Sequence, residues 1–210
     1  MAYNQDTKLR GNTNNTLIGN NGDKLKIDGS EVTQPVSGTV TTLGAAEQKN
    51  TYSAATYAII PGTLHTDLIT IVGSETKIIK VLNITVSGMQ TTAGSVIVSL
   101  LRRSSSNSGG TTVPIYPVLR DSTNPAATAV LKAYTAKPSS VGTLIGMVAV
   151  RRLYLPAGIL GQQELFHVDF SRDFGQPLTL RGDDEVLAVN LASATIVGGS
   201  FVFNITWTEE

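Results

Sequence analysis

The chain has 210 residues, of which 41% are hydrophobic and 15% charged, and its 16 basic and 16 acidic residues cancel. This length fits one sizeable domain with extensions or two small domains. The absence of net charge argues against binding to nucleic acid or to an anionic membrane, and the absence of cysteine excludes disulfides and thiolate sites. Because the N-terminus lacks signal-peptide features and no apolar run is long enough to span a bilayer, we expect a soluble chain made in the cytoplasm.

The first fifty residues differ from the rest of the chain. They are rich in asparagine and glycine and contain no aromatic residue between Tyr3 and Tyr52, so they cannot bury enough apolar surface to offset the entropy of ordering. Residues 20–23 predict a tight turn that leads into a short strand. We therefore predict that residues 1–50 form an extended arm that docks on a neighbouring subunit or another protein; the alternative is a tail packed on its own domain. The predicted docking contacts are Leu17, Ile18, Leu25 and Ile27.

From residue 51 onward, apolar and polar residues alternate with a period of two, which is typical of half-buried strands. The clearest strand patterns cover residues 76–86, 95–101, 163–170, 185–191 and 199–208. Weaker ones cover 52–59, 64–72, 112–119, 126–134, 143–154 and 177–180, and 126–134 also fits a short helix. Some ten strands without intervening helices predict an all-β fold, an antiparallel jelly-roll-like β-sandwich over residues 51–210.

Two strand patterns also predict which side chains face the core. The last pattern places Phe201, Phe203, Ile205 and Trp207 on one face. The pattern at 76–86 places Ile78, Leu82, Ile84 and Val86 together, opposite Val81, Asn83 and Thr85. Residues 143–150 are apolar on both faces, and since double-sided burial needs a second surface, they predict an oligomer.

Two stretches resemble a known class of proteins. The segment LIGNNGDKLKIDG at 17–29 resembles the openings of virion structural proteins of tailed bacteriophages. The ending LTLRGDDEVLAVNLASATIVGGSFVFNITWTEE at 178–210 is similar to the last strands of jelly-roll domains in phage decoration, collar, fibre and baseplate proteins. The resemblance implies a non-enzymatic virion component that forms homo-oligomers, often trimers. It also implies attachment through the arm to other virion proteins such as capsid, portal or tail components.

Residues with catalytic or metal-binding potential are few. His65 and His167 each precede an aspartate by two residues, Asp67 and Asp169, and on a strand this spacing puts both side chains on one face. Such a pair suits a metal ion or a His–carboxylate pair, and it equally suits polar positions that face solvent. The acidic run at 183–185 predicts a charged turn, since it lacks the spacing of a calcium loop. We expect no catalytic residues, no metal and no cofactor.

Paired arginines lie at the ends of two predicted strands, at Arg102–Arg103 and Arg151–Arg152. They either meet carboxylates across a subunit contact or face water, and the sequence leaves both alternatives open.

A second functional hypothesis is a receptor- or carbohydrate-binding module at a virion tip, with loops at one end of the sandwich carrying the contacts. Sugar sites need exposed aromatic rings, yet only 6% of the residues are aromatic and the sole tryptophan lies on an inward strand face. This favours the structural hypothesis. The candidate ligand-facing aromatic residues are Tyr116, Tyr134 and Tyr154.

Overall fold

The structure, a computed structural model, describes residues 49–60, 66–157, 165–193 and 199–210 together with four two-residue strands near the N-terminus. The chain divides into two units, Met1–Ala46 and Glu47–Glu210. In the first unit, two antiparallel pairs form: β1 (Leu9–Arg10) with β2 (Leu17–Ile18), and β3 (Asn20–Asn21) with β4 (Lys24–Leu25). The β3–β4 pairing places a short strand where the sequence predicted one.

In the described part of the second unit, the regular secondary structure is almost entirely β-strand. In chain order these are β5 (Asn50–Ile59), β6 (Thr66–Val72), β7 (Ile78–Met89), β8 (Gly94–Arg103), β9 (Thr111–Pro114), β10 (Val118–Leu119), β11 (Val130–Ala136), β12 (Leu144–Leu155), β13 (Leu165–Asp169), β14 (Leu178–Arg181), β15 (Val186–Ser193) and β16 (Ser200–Glu209). A five-residue helix, α1 (Phe170–Phe174), separates β13 from β14.

The strands form two six-stranded sheets. The first has the order β10-β5-β16-β7, with β13 and β14 both pairing along the far side of β7, and the second has the order β12-β8-β15-β6-β11-β9. Strand pairs in both sheets are antiparallel. The order β5-β16-β7-β13 in the first sheet and the order β6-β15-β8-β12 in the second are those of the two four-stranded sheets of a jelly roll. The predicted all-β sandwich is confirmed.

The core lies between the two sheets. The four residues predicted to share a face in the last strand, Phe201, Phe203, Ile205 and Trp207, are all buried in it. Tyr52 stacks on Trp207 with ring centroids 5.7 Å apart. Each aromatic side chain in this core buries a large apolar area.

The face assignment for β7 needs a correction. Ile84 and Val86 are buried as predicted, but Val81 is buried too, whereas Leu82 is only half-buried. Against β16, Val81 pairs with Trp207 and Asn83 with Thr206, so Leu82 is the extra residue of a β-bulge. A bulge shifts the alternation by one position, and Ile79 and Val81 therefore face the core in place of Ile78 and Leu82.

The helical alternative for residues 126–134 is also corrected, since its second half belongs to β11. The helix that does form, α1, begins at Phe170, the residue at which the predicted strand 163–170 ends. Its N-cap is Asp169, whose side chain accepts a hydrogen bond from the Arg172 backbone N–H at 3.0 Å, and its C-cap is Gly175 with φ of 74°. In the part of the chain that the structure describes, no helix is long and apolar enough to cross a membrane.

Glu209 anchors the β10–β11 connection to the end of β16. Its buried carboxylate accepts hydrogen bonds from the backbone N–H groups of Thr128 and Ala129, and from the Trp207 indole N–H at 3.0 Å. Charge-assisted bonds of this kind are stronger than neutral ones. The insertion that carries β9 to β11 is therefore held firmly to the sandwich.

Candidate functional site

Strand β12 forms one edge of the second sheet. It is 12 residues long and pairs with β8 on one side. Long edge strands expose a row of unpaired backbone groups that can recruit another chain, so this edge is the first place to look for an interaction surface.

Two β-bulges determine which side chains of β12 share a face. Against β8, Leu144 pairs with Arg103, Met147 with Leu101 and Val150 with Ser99. These partners are alternate residues of β8 and lie on one face of the sheet, so three β12 residues spaced three apart also share that face. Arg152 and Tyr154, paired with Ile97 and Ser95, continue the row. We call Leu144, Met147, Val150, Arg152 and Tyr154 the β12 stripe.

The β12 stripe lies on the outer face of the sheet, because the intervening β8 residues Val96, Val98 and Leu100 pack in the core. Its apolar members are half exposed or more: Leu144 52%, Met147 59%, Val150 56% and Tyr154 50%, with the bulge residue Ile145 at 56%. Single exposed apolar residues are ordinary, but a contiguous row of large ones marks an interaction site.

The same outer face carries a buried charged network beside the stripe. The Arg103 guanidinium donates to both Asp67 oxygens, at 2.7 and 2.8 Å, and Asp67 is 0% exposed. Asn107 and Asn190 donate their side-chain amides to the same carboxylate at 2.8 and 2.6 Å. We call these four residues the Asp67 network; it satisfies the buried carboxylate with two charged and two neutral donors.

The Asp67 network holds two loops over the sheet. Arg103 donates its remaining Nη1 to the Gly142 carbonyl at 2.8 Å, and the Gly142 N–H donates to the Asn107 side chain at 3.3 Å. Backbone bonds between Ser108 and the pair Ser139 and Ser140 join the β8–β9 loop to the β11–β12 loop. The second loop leads directly into β12, so the network also fixes where the β12 stripe begins.

The opposite edge of the molecule is built differently. Strand β9 has four residues and ends at Pro114, and β10 has two residues. Short strands and proline protect an edge from pairing because proline has no N–H to donate. Exposed apolar residues occur here as well, with Tyr116 at 75% and Val118 at 60% exposure.

The three tyrosines predicted to face a ligand do not form one site. Tyr116 lies between β9 and β10, and Tyr154 belongs to the β12 stripe. Tyr134 is 1% exposed, which corrects its assignment as a ligand-facing residue. Burial raises the pKa of its phenol, and the hydroxyl faces Thr70 and Asn107, without hydrogen-bond geometry to either.

The described residues of the two His-x-Asp pairs make unrelated contacts. His65 lies outside the described residues, and its partner Asp67 belongs to the buried network. His167 shares a hydrogen bond of 3.0 Å with the Thr85 hydroxyl, while Asp169 caps α1. Among the described residues, no group of three or more histidines and carboxylates is placed to hold a metal ion.

The paired arginines make contacts within the chain. Arg102 pairs with Glu185 at 2.7 Å and Arg103 with Asp67. Arg151 donates to the Leu165 carbonyl at 3.1 Å, and Arg152 to the Ser95 hydroxyl at 3.3 Å. Sequence reasoning singled out Arg103 and Asp67 but missed their pairing, because the two residues are 36 positions apart along the chain.

The predicted docking contacts of the arm are described only as backbone. Leu17 and Ile18 form β2, Leu25 belongs to β4, and Ile27 lies outside the described residues. Their docking role stays a prediction.

Comparison with known protein families, curated proteins and solved structures found no match to this chain.

Proposed function

We propose that this chain is a non-enzymatic structural component of a phage virion, a decoration, collar or tail-associated protein, that oligomerises through its sandwich and docks through its N-terminal arm. The observation that supports this most directly is the β12 stripe, whose four apolar members are each at least half exposed. A row of large apolar side chains on an edge strand is stabilised when another protein covers it.

The fold and the arm support the proposal in different ways. Jelly rolls occur in viral capsid and lectin domains as well as in cupins, and because one fold hosts many functions it does not decide among them. The arm, with its resemblance to phage virion proteins at 17–29, supplies the reason to place the sandwich on a particle.

Deleting residues 1–45 tests the docking half of the proposal. The truncated chain keeps the whole second unit, Glu47–Glu210, so we expect an unchanged far-ultraviolet circular dichroism spectrum. We also expect it to be lost from the particle with which the full chain co-purifies, measured by sedimentation and electron microscopy. A folded, arm-less protein that still joins the particle contradicts the proposed docking.

A second candidate, a receptor- or carbohydrate-binding module at a virion tip, is favoured by Tyr116, whose ring is the most exposed of the large apolar side chains described. Aromatic rings stack on sugar faces. Replacing Tyr116 with Ala should abolish glycan-array binding in this case, whereas Tyr134→Phe, at a buried ring, should leave it unchanged. Absence of glycan binding by the parent chain rules out carbohydrate binding as the function of such a module.

A further inference from the structure

We propose that the free edge of β12 pairs with the same edge of a second copy of this chain, the two strands antiparallel about a two-fold axis at Met147, so that the two β12 stripes meet side by side. This inference rests on the proposed oligomerisation and adds to it the occupant, the register and the symmetry.

The area of the stripe fits a weak contact with a second copy. Four side chains within the span 144–150, those of Leu144, Ile145, Met147 and Val150, are each 52% to 59% exposed. At roughly 100 Å² for a half-exposed large side chain, they offer about 400 Å² per copy. Two copies therefore bring about 800 Å² of apolar surface to the contact before flanking residues are counted, which is the size of a weak, concentration-dependent interface.

The distribution of charge along β12 selects the antiparallel arrangement. Residues 144–150 carry no charge, and Arg151 and Arg152 follow them directly. A two-fold axis at Met147 sets Leu144 of one copy opposite Val150 of the other, so apolar residues meet apolar residues. Each Arg151 then lies opposite Thr143, and the two Arg151 residues are about 26 Å apart at 3.3 Å per residue, beyond the screening length of physiological salt.

The other arrangements are less favourable for stated reasons. A parallel pairing of the two strands sets Arg152 beside Arg152, and like charges directly opposite each other are destabilising. A head-to-tail contact, with β12 of one copy on the opposite edge of the next, meets the protected β9 edge that ends at Pro114. A self-complementary contact repeats one surface on both copies and closes as a dimer.

Cysteine cross-linking tests the symmetry, because the chain contains no cysteine. We would prepare the full chain with Met147→Cys and, as a matched control, with Val118→Cys, since Met147 and Val118 are 59% and 60% exposed. Under mild oxidation, Met147→Cys should form a disulfide dimer about ten-fold faster than Val118→Cys, because residues held together react at effective concentrations of about millimolar.

Each other outcome overturns the inference. A disulfide that forms only between mixed Met147→Cys and Val118→Cys chains shows a head-to-tail contact. Equal self-cross-linking of the two variants shows random collision. A trimer of the parent chain in light scattering excludes a two-fold dimer yet agrees with the proposed virion function, and a monomer at every concentration removes both the dimer and the oligomerisation. Docking by the arm is read separately, from particle incorporation of the truncated chain.

Discussion

The outer face of the second sheet has two regions with opposite patterns of burial. The covered region contains a fully buried aspartate and an arginine that is 7% exposed, whereas the bare region, the β12 stripe, exposes apolar side chains by half or more. Buried charge and exposed large apolar surface are each informative because each reverses the usual distribution of residues.

The chain covers one of these regions with its own loops and leaves the other exposed. In the covered region, the β8–β9 and β11–β12 loops close over Asp67 and supply Asn107 and the Gly142 carbonyl. Over the bare region, no described residue of the chain performs that role, since the stripe keeps its exposure in the second unit. The first region therefore contributes to folding stability, and the second is available for association.

The largest expected effect comes from breaking the ion pair of the covered region. Asp67→Ala leaves the Arg103 guanidinium buried without a counter-charge, which we expect to lower the free energy of unfolding by about 3–5 kcal/mol. Urea denaturation of the purified variant and the parent chain measures this loss.

Two controls accompany this prediction. Asp184→Ala, at an exposed turn position, should change the free energy of unfolding by less than about 0.5 kcal/mol. The double variant Asp67→Leu with Arg103→Met removes both charges and should be more stable than Asp67→Ala. If Asp67→Ala proves no more harmful than Asp184→Ala, the network does not stabilise the covered region.

Two glycines four residues apart lie one in the covered region and one in the bare region, so equivalent substitutions can be compared. A Cβ added to Gly142 in the loop cover meets the Ser105 carbonyl oxygen at 2.0 Å, whereas one added to Gly146 in β12 meets nothing within 4 Å. Gly142→Ala must displace backbone, at a cost of about 1–3 kcal/mol in the free energy of unfolding. Gly146→Ala should be neutral or slightly stabilising. Thermal unfolding of the two variants, measured in parallel, tests this difference. Equal melting temperatures would contradict the close packing of the β11–β12 loop at Gly142.

Much of the fold was predictable because its signal is local. Alternation along single strands identified the sandwich and the inward face of β16. The exceptions are the bulges: Leu82 in β7 and the extra residues of β12 arise from register against a neighbouring strand. No pattern within one strand reports the register of its partner, so these shifts of face were not predictable.

The candidate site was predictable only in part for the same reason. Residues 143–150 were expected to need a second surface from their composition alone. The Asp67 network, in contrast, joins residues 36, 40 and 123 positions apart, and the buried Tyr134 hydroxyl faces Thr70 and Asn107, which are also distant in sequence. The local sequence pattern around each residue does not indicate such long-range contacts.

Removing a surface ion pair should lower the free energy of unfolding less than removing the buried Asp67 does. Hydrogen bonds from Lys49 and then Lys80 lower the pKa of Glu210 from its ordinary value of 4.5. A lowered pKa in the folded state means that the carboxylate stabilises the fold above pH 4.5, and that this contribution is lost as the pH falls through the lowered pKa. Glu210→Gln should cost less than about 1 kcal/mol at pH 7, because exposed pairs are weakened by solvent. Unfolding curves from pH 7 to pH 3 should converge for the variant and the parent chain; a difference that grows as the pH falls contradicts this assignment.

The smallest effect on stability, and the most telling for the comparison, is expected in the β12 stripe. Met147→Lys places a charge where natural edge strands commonly carry one, so at concentrations where the parent chain is monomeric the free energy of unfolding should change by less than about 0.5 kcal/mol. At higher concentration the same variant should stay monomeric in light scattering while the parent chain associates, because each introduced lysine meets its own copy across the axis. Val118→Lys, at an equally exposed position of the other edge, should associate like the parent. If Met147→Lys unfolds the chain, the stripe belongs to the core after all, and the distinction between a covered and a bare region fails.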